Sequence, residues 1–164
     1  ANWVKVGYAN GVPMGGDVKT DSAPSMMIAA LKDPNSGNLD RIQVVKGWLD
    51  ASGNVQNKIY NVAWSEPQNR KLDDKGLLPA VGNSVDIKQA SYTNNIGATE
   101  LNTVWKDPDF NPALLAFYYV RVLEIPTPRW STYDAKSLGI APPKDFPATI
   151  QERAWSSPIW YSPK

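Results

Sequence analysis

Short apolar or alternating stretches, separated by turn sequences rich in proline, glycine, asparagine and aspartate, run along most of the chain. The longest, residues 117–125, is aromatic and β-branched, with Arg121 and Glu124 as its only charges. This pattern is typical of a central strand covered on both faces, where the two charges need structural partners. Pro126 and Pro128 follow. Because neither can donate a hydrogen bond to a sheet, we expect the strand to end there.

A β-hairpin is the clearest local prediction. Residues 41–49 alternate, with Ile42, Val44 and Trp48 on one side, and residues 55–64 return after a turn. Further strands are predicted, in chain order, at residues 3–8, 24–31, 81–92, 99–106 and 150–161. For residues 24–31 a helical turn stays open as an alternative.

The remaining segments complete a fold prediction. Residues 131–139 begin with hydroxyls, carry a late lysine and end in glycine, which predicts one short helix. Residues 65–79 are charged and aperiodic, which indicates an exposed loop. Seven to eight strands at this spacing predict a mostly β protein, an antiparallel β-sandwich, over the single domain 1–164. A barrel-like closed sheet is the alternative.

Composition excludes several functions. The chain has 164 residues with no histidine and no cysteine. A Ser-His-Asp triad is therefore impossible, and the usual ligands of zinc and iron are missing. A net charge of +1 without a basic cluster gives no footprint for nucleic acid, and no apolar run is long enough to span a membrane. We expect no cofactor, no nucleic-acid partner and no membrane insertion.

One polar segment contains candidate metal ligands. Asp33, Asn35 and Asp40 offer oxygen atoms at a spacing that loosely matches a calcium-binding loop. The segment lacks the terminal bidentate glutamate of such loops. An ordinary turn held by an aspartate side chain is therefore the preferred interpretation.

A second cluster follows the central strand. Arg129, Trp130, Tyr133 and Asp134 lie where the chain leaves the sheet, and aromatic faces there could stack on sugar rings. This predicts carbohydrate or small-ligand binding. The alternative is that Trp130 fills the end of the core and Arg129 pairs with a neighbour.

Carboxylates suggest a third function. Glu100 with Asp107 or Asp109 could form the two-carboxylate arrangement of glycosidases, which would make the chain an independent hydrolase. Acidic residues beside prolines in turns more often cap the turn. We therefore do not expect this chain alone to be an enzyme.

Several unusual motifs carry a family resemblance. They include Glu124-Ile-Pro-Thr-Pro-Arg-Trp130 and Ser157-Pro-Ile-Trp160. With these motifs the chain resembles a bacterial family, domain of unknown function 3604. The matching segments cover nearly the whole chain: residues 12–17, 39–48, 60–64, 92–97, 105–110, 117–130 and 151–160.

The resemblance implies a larger parent protein. Members of that family look several times longer, commonly with an export signal. Their front portion resembles a histidine-rich, metal-dependent phosphoesterase of the polymerase-and-histidinol-phosphatase kind. The present chain resembles only the C-terminal part, and without histidine it carries none of the front domain's metal ligands. The resemblance therefore implies a periplasmic or secreted C-terminal accessory domain or fragment, which packs against and shapes the catalytic domain of the same parent protein.

Overall fold

Eight strands and two helices follow one another in the computed structural model, which describes residues 2–163 apart from the side chain of Trp3. Their order is α1 (Trp3–Asn10), β1 (Asp17–Val18), β2 (Ser25–Leu31), β3 (Leu39–Leu49), β4 (Val55–Trp64), β5 (Glu100–Lys106), β6 (Ala116–Pro128), α2 (Trp130–Leu138), β7 (Thr149–Trp155) and β8 (Ile159–Tyr161).

The large sheet is built around β6. It has the order β1-β8-β6-β3-β4, and β7 also pairs with β6. β3 runs antiparallel along one side of β6, while β8 and β7 take successive parts of the other side. The prediction that residues 117–125 form the central strand is therefore confirmed.

The strand continues through both prolines instead of ending before them. Beyond Glu124 no residue of β3 pairs with β6, whereas Pro126 and Pro128 still pair with β7. The proline segment consequently has a neighbouring strand on one side only. Prolines are tolerated there because an edge position leaves one row of backbone groups without a ladder partner.

Two layers form the core. The antiparallel pair β2–β5 is a separate sheet that packs over one face of the large sheet. Met26, Ile28 and Leu101 of the small sheet meet apolar side chains of the large sheet, among them Ile42 and Val44. This confirms the sandwich-like architecture, and the two sheets remain open, so the barrel alternative is wrong.

Several local predictions are confirmed. The β3–β4 hairpin forms as predicted, and residues 24–31 form β2 as a strand. The helix predicted at residues 131–139 is α2, and Gly139 ends it with a φ of 68° in the left-handed region. The loop at residues 65–79 contains no strand, although Arg70 within it is buried.

Two local predictions were wrong, and a third was right in part. Residues 3–8 lie in helix α1, and Asn2 caps this helix by accepting a hydrogen bond from the backbone N–H of Lys5 at 3.1 Å. Residues 81–92 make only an isolated bridge between Asp86 and Ser91. Residues 150–161 divide into β7 and β8, and β8 pairs with β1 in a parallel arrangement.

None of the helices in residues 2–163 is both long enough and apolar enough to cross a membrane.

Candidate interaction surface

The large sheet has a second face, away from the core, which we call the outer face. Cross-strand partners in a sheet point to the same side. Phe117 pairs with Trp160, Arg121 with Trp155, and Tyr119 with Val45. The outer face therefore comprises Gln43, Val45 and Gly47 of β3, Ile59 and Asn61 of β4, Phe117, Tyr119 and Arg121 of β6, Trp155 of β7 and Trp160 of β8.

Large apolar groups on the outer face are open to solvent. Trp155 is 59% exposed, Trp160 48% and Ile59 46%. Soluble proteins rarely leave several neighbouring aromatic side chains uncovered, and such patches usually mark an interaction site. The outer face is therefore the principal candidate for function.

The aromatic side chains on this face form a continuous group. The rings of Phe117 and Tyr119 are parallel within 9°, with centroids 6.4 Å apart, and the ring of Trp160 lies 5.4 Å from that of Phe117. Phe117 lies against the backbone of Gly47, since a Cβ added to Gly47 would be 2.4 Å from the ring. Glycine at position 47 thus makes room for the ring to lie over β3.

Arg121 brings a positive charge into this aromatic group. Its Nε and Nη2 donate to Oε1 of Gln43 at 2.9 and 2.6 Å, and the amide of Gln43 donates to Asn61 at 2.9 Å. Among residues 2–163, no carboxylate forms an ion pair with Arg121. Part of the guanidinium therefore remains available to an acceptor on a binding partner.

The predicted ligand cluster lies elsewhere, on and beside α2. Trp130 is 71% exposed, and Tyr133 and Asp134 share its side of the helix because they are three and four residues further on. The interpretation of Trp130 as a core residue is therefore wrong. Arg129 does contact a neighbour, donating from Nε to the carbonyl of Pro147 at 2.8 Å. Ligand binding by this cluster stays a prediction.

The candidate calcium ligands have protein partners. Asp33 accepts a hydrogen bond from the backbone N–H of Asn35 at 2.8 Å, which is the predicted aspartate-held turn. Asp40 is fully buried and forms ion pairs with Arg70 at 2.6 Å and Arg41 at 2.9 Å. Two guanidinium groups leave its carboxylate poorly suited to a cation. In the part of the chain that the structure describes, no group of three or more acidic side chains could hold a metal.

The proposed carboxylate pair does not form. Glu100 begins β5 and Asp107 directly follows its end, so the seven steps of extended chain between them, at about 3.3 Å each, place the two residues roughly 23 Å apart. Asp109 pairs with Lys58 at 2.5 Å and accepts a hydrogen bond from Tyr60 at 2.7 Å. The Lys58 ammonium, followed by the Tyr60 hydroxyl, holds the pKa of Asp109 below its usual value. A carboxylate kept ionised in this way is a poor proton donor.

The buried ion pair between Lys46 and Asp107 was not predicted from the sequence. Lys46 of β3 donates to Asp107 at 2.6 Å and to the carbonyl of Asp109 at 2.8 Å, and both charged side chains are almost completely buried. The hydroxyl of Tyr118 donates to the same Asp107 oxygen at 2.7 Å, and burial, together with this bond, raises the pKa of Tyr118. Lys46 lies on the Ile42–Val44 side of the alternation, which was the available sequence signal.

A small cavity lies beside the ammonium group of Lys46. Its volume is about 20 Å³, and its walls include Trp48 and Leu114. This is room for a single water molecule, which needs on the order of 10–15 Å³. The cluster of Lys46 and Asp107 is therefore a structural element with no space for a substrate.

Fold and surface together define an open two-layer β domain with an exposed aromatic sheet face. Comparison with family models then identifies the family: the chain belongs to the protein family of unknown function DUF3604, whose model matches residues 1–163. The resemblance to that family is confirmed. Neither the curated proteins nor the solved structures include a match to the chain.

Proposed function

We propose that the chain is a non-catalytic accessory domain whose outer face packs against the catalytic domain of the same parent protein. The observation that carries this proposal is the group of exposed aromatic side chains around Arg121. Trp, Tyr and Arg are the residue types that contribute most to binding at protein interfaces. A sheet face that buries them against another domain would remove the apolar patch from water.

The partner is proposed from the family resemblance. We propose that the parent is a bacterial, periplasmic or secreted metal-dependent hydrolase and that this domain helps to shape its substrate cleft. The charge of Arg121 sets a specific requirement for the surface of the partner. Because Gln43, which is neutral, is the only side-chain acceptor of Arg121 within residues 2–163, we propose that the facing surface presents a carboxylate within the apolar contact.

Footprinting tests the packing directly. Hydroxyl-radical oxidation of Trp155 and Trp160 is measured by mass spectrometry in the isolated 164-residue chain and in the proposed longer parent protein. We expect several-fold protection of both tryptophans in the longer protein. Trp130 on α2 is the internal control and should be oxidised equally in both. Equal oxidation of Trp155 and Trp160 in the two proteins would show that the outer face is not the contact.

A charge variant tests the carboxylate requirement. Arg121→Glu should lower the thermal stability of the longer protein more than that of the isolated chain, because only the longer protein contains the facing carboxylate. Lys106→Glu, at an exposed position of β5 in the small sheet, is the charge-reversal control away from the outer face. Similar losses for Arg121→Glu in both proteins would contradict the proposed contact.

Carbohydrate binding at α2 is a second candidate function. It is favoured by the 71% exposure of Trp130, whose indole could stack on a sugar ring beside Tyr133 and Asp134. Glycan-array binding that is lost in Trp130→Ala and kept in Trp155→Ala would support it. An array without binding by the folded chain would exclude this function for the glycans tested.

A further inference from the structure

A separate cleft lies between residues 86–91 and the C-terminal end of α2. Its volume is about 350 Å³, and Ile87, Ile140 and Pro142 supply apolar walls. Pockets for small organic ligands usually start near about 300 Å³. Ile87 and Ile140 are both substantially exposed, so the cleft presents apolar surface that a ligand could cover.

Two lysines also line the cleft, and no acidic residue among residues 2–163 does. Lys136 donates to the carbonyl of Gln89 at 2.6 Å, and Lys88 belongs to the opposite wall. Neither lysine forms an ion pair with a carboxylate within the described residues 2–163. The cleft therefore combines apolar walls with positive charge that the protein itself does not neutralise.

Hydrogen bonds hold both walls in place. Asp86 and Ser91 exchange backbone hydrogen bonds of 2.8 and 3.1 Å, and Asp86 also accepts from the backbone N–H of Gln89 at 3.0 Å. On the other wall, the N–H of Ile140 donates to the carbonyl of Ala135 at 3.0 Å. Together with the bond from the N–H of Gly139 to the carbonyl of Lys136 at 3.1 Å, it satisfies two of the last carbonyls of α2. The cleft is thus formed before a ligand arrives.

We propose that this cleft binds a small amphiphilic anion, a monocarboxylate with an unbranched apolar body. The body would lie between Ile87 and Ile140, and the carboxylate would contact the ammonium groups of Lys88 and Lys136. Apolar burial supplies the attraction and the lysines select the charged end group. This site is distinct from the outer face and does not depend on packing against another domain.

NMR titration of the ¹⁵N-labelled chain with octanoate tests the proposal. We expect saturable shift changes confined to residues 86–91 and 132–142. 1-Octanol has a similar apolar body without the charge and should bind at least about ten-fold more weakly. No saturable change, equal affinity for octanol, or changes centred on the outer face would each overturn the assignment.

Two double variants distinguish a direct role of Lys88 and Lys136 in binding from a general effect of the net charge. Lys88→Gln combined with Lys136→Gln should weaken octanoate binding about ten-fold, while the glutamine at 136 can still donate to Gln89. The control carries Lys71→Gln and Lys75→Gln, two exposed lysines of the 65–79 loop, and removes the same total charge. Equal weakening in the two double variants would overturn the assignment, and unchanged spectral dispersion confirms that both are folded.

Discussion

The buried Lys46–Asp107 pair permits a quantitative test of what holds the two sheets together. Lys46→Met keeps the length of the side chain and its packing against Trp48 and Tyr118, but removes the charge. Asp107 would then remain a buried carboxylate without a cation. Removing one member of a buried ion pair typically costs about 3–5 kcal/mol, since the other charge stays desolvated.

The contacts that Asp107 keeps in Lys46→Met place the expected loss of unfolding free energy at the lower end of this range. Asp107 keeps the hydroxyl of Tyr118 at 2.7 Å and the backbone N–H of Asp109 at 2.9 Å, which compensate part of the charge. We expect a loss of about 3 kcal/mol, or roughly 6–12 °C in Tm for a chain of this size. Adding Asp107→Asn should recover about half of the loss, because the buried charge disappears and the acceptor for Asp109 is retained.

Urea unfolding followed by tryptophan fluorescence measures these free energies. The matched control is Lys58→Met, whose ammonium pairs with Asp109 but whose side chain is 52% exposed. Exposed pairs contribute about 0–1 kcal/mol, so this variant should change stability little. The reasoning is refuted when Lys46→Met costs no more than Lys58→Met. It also fails when the double variant shows the sum of the two single losses.

Three further outcomes are expected. Gly97→Ala should destabilise the protein by about 2 kcal/mol more than Gly53→Ala in urea unfolding; both glycines have a φ of 80°, but only at Gly97 would a Cβ meet other atoms, at 2.7 Å. Arg70→Gln should cost about 3 kcal/mol and speed proteolysis of residues 66–79, because Asp40 loses its closest ion pair. For Asp109, the lowered folded pKa means that its contribution is present above the unfolded pKa of about 3.9 and is lost as the pH falls through the folded value. Asp109→Asn should therefore lower the free energy of unfolding at pH 6, and the loss of stability below about pH 4 should be smaller in the variant than in the unmodified chain. A parallel loss of stability with falling pH in the variant and the unmodified chain would contradict this.

The β framework was predictable because its signals are local. The period-two alternation of β3 and the turn residues after it define a hairpin without further information. Gly139 likewise ends α2 by its own backbone preference. Residues 81–92 also alternate in part, but their isolated bridge joins Asp86 to Ser91 within the segment itself, and no strand pairs with them. Alternation specifies which side chains share a face, whereas a strand also needs a partner.

The buried charged groups depend on pairings that are distant in sequence. Lys46 meets Asp107 across 61 residues, and Asp40 meets Arg70 across 30 and Gln151 across 111. In the sequence, each of these charged residues shows only that it lies in or near an apolar strand, not which residue it pairs with. Only the register of β3 against its neighbours decides that these charges face inward and have partners.

The central strand carries the strongest link between sequence and function. Its pattern predicts a strand that is covered on both faces, yet the small sheet covers only the face of Tyr118. The opposite face, with Phe117 and Tyr119, is equally aromatic, but no second sheet of the described residues covers it, and Trp155 and Trp160 are exposed there. The residues of this strand suit burial on both faces, but the fold buries only one face. This is the pattern expected of an interaction surface. The mismatch between pattern and exposure is therefore a physical reason to expect a partner on the outer face.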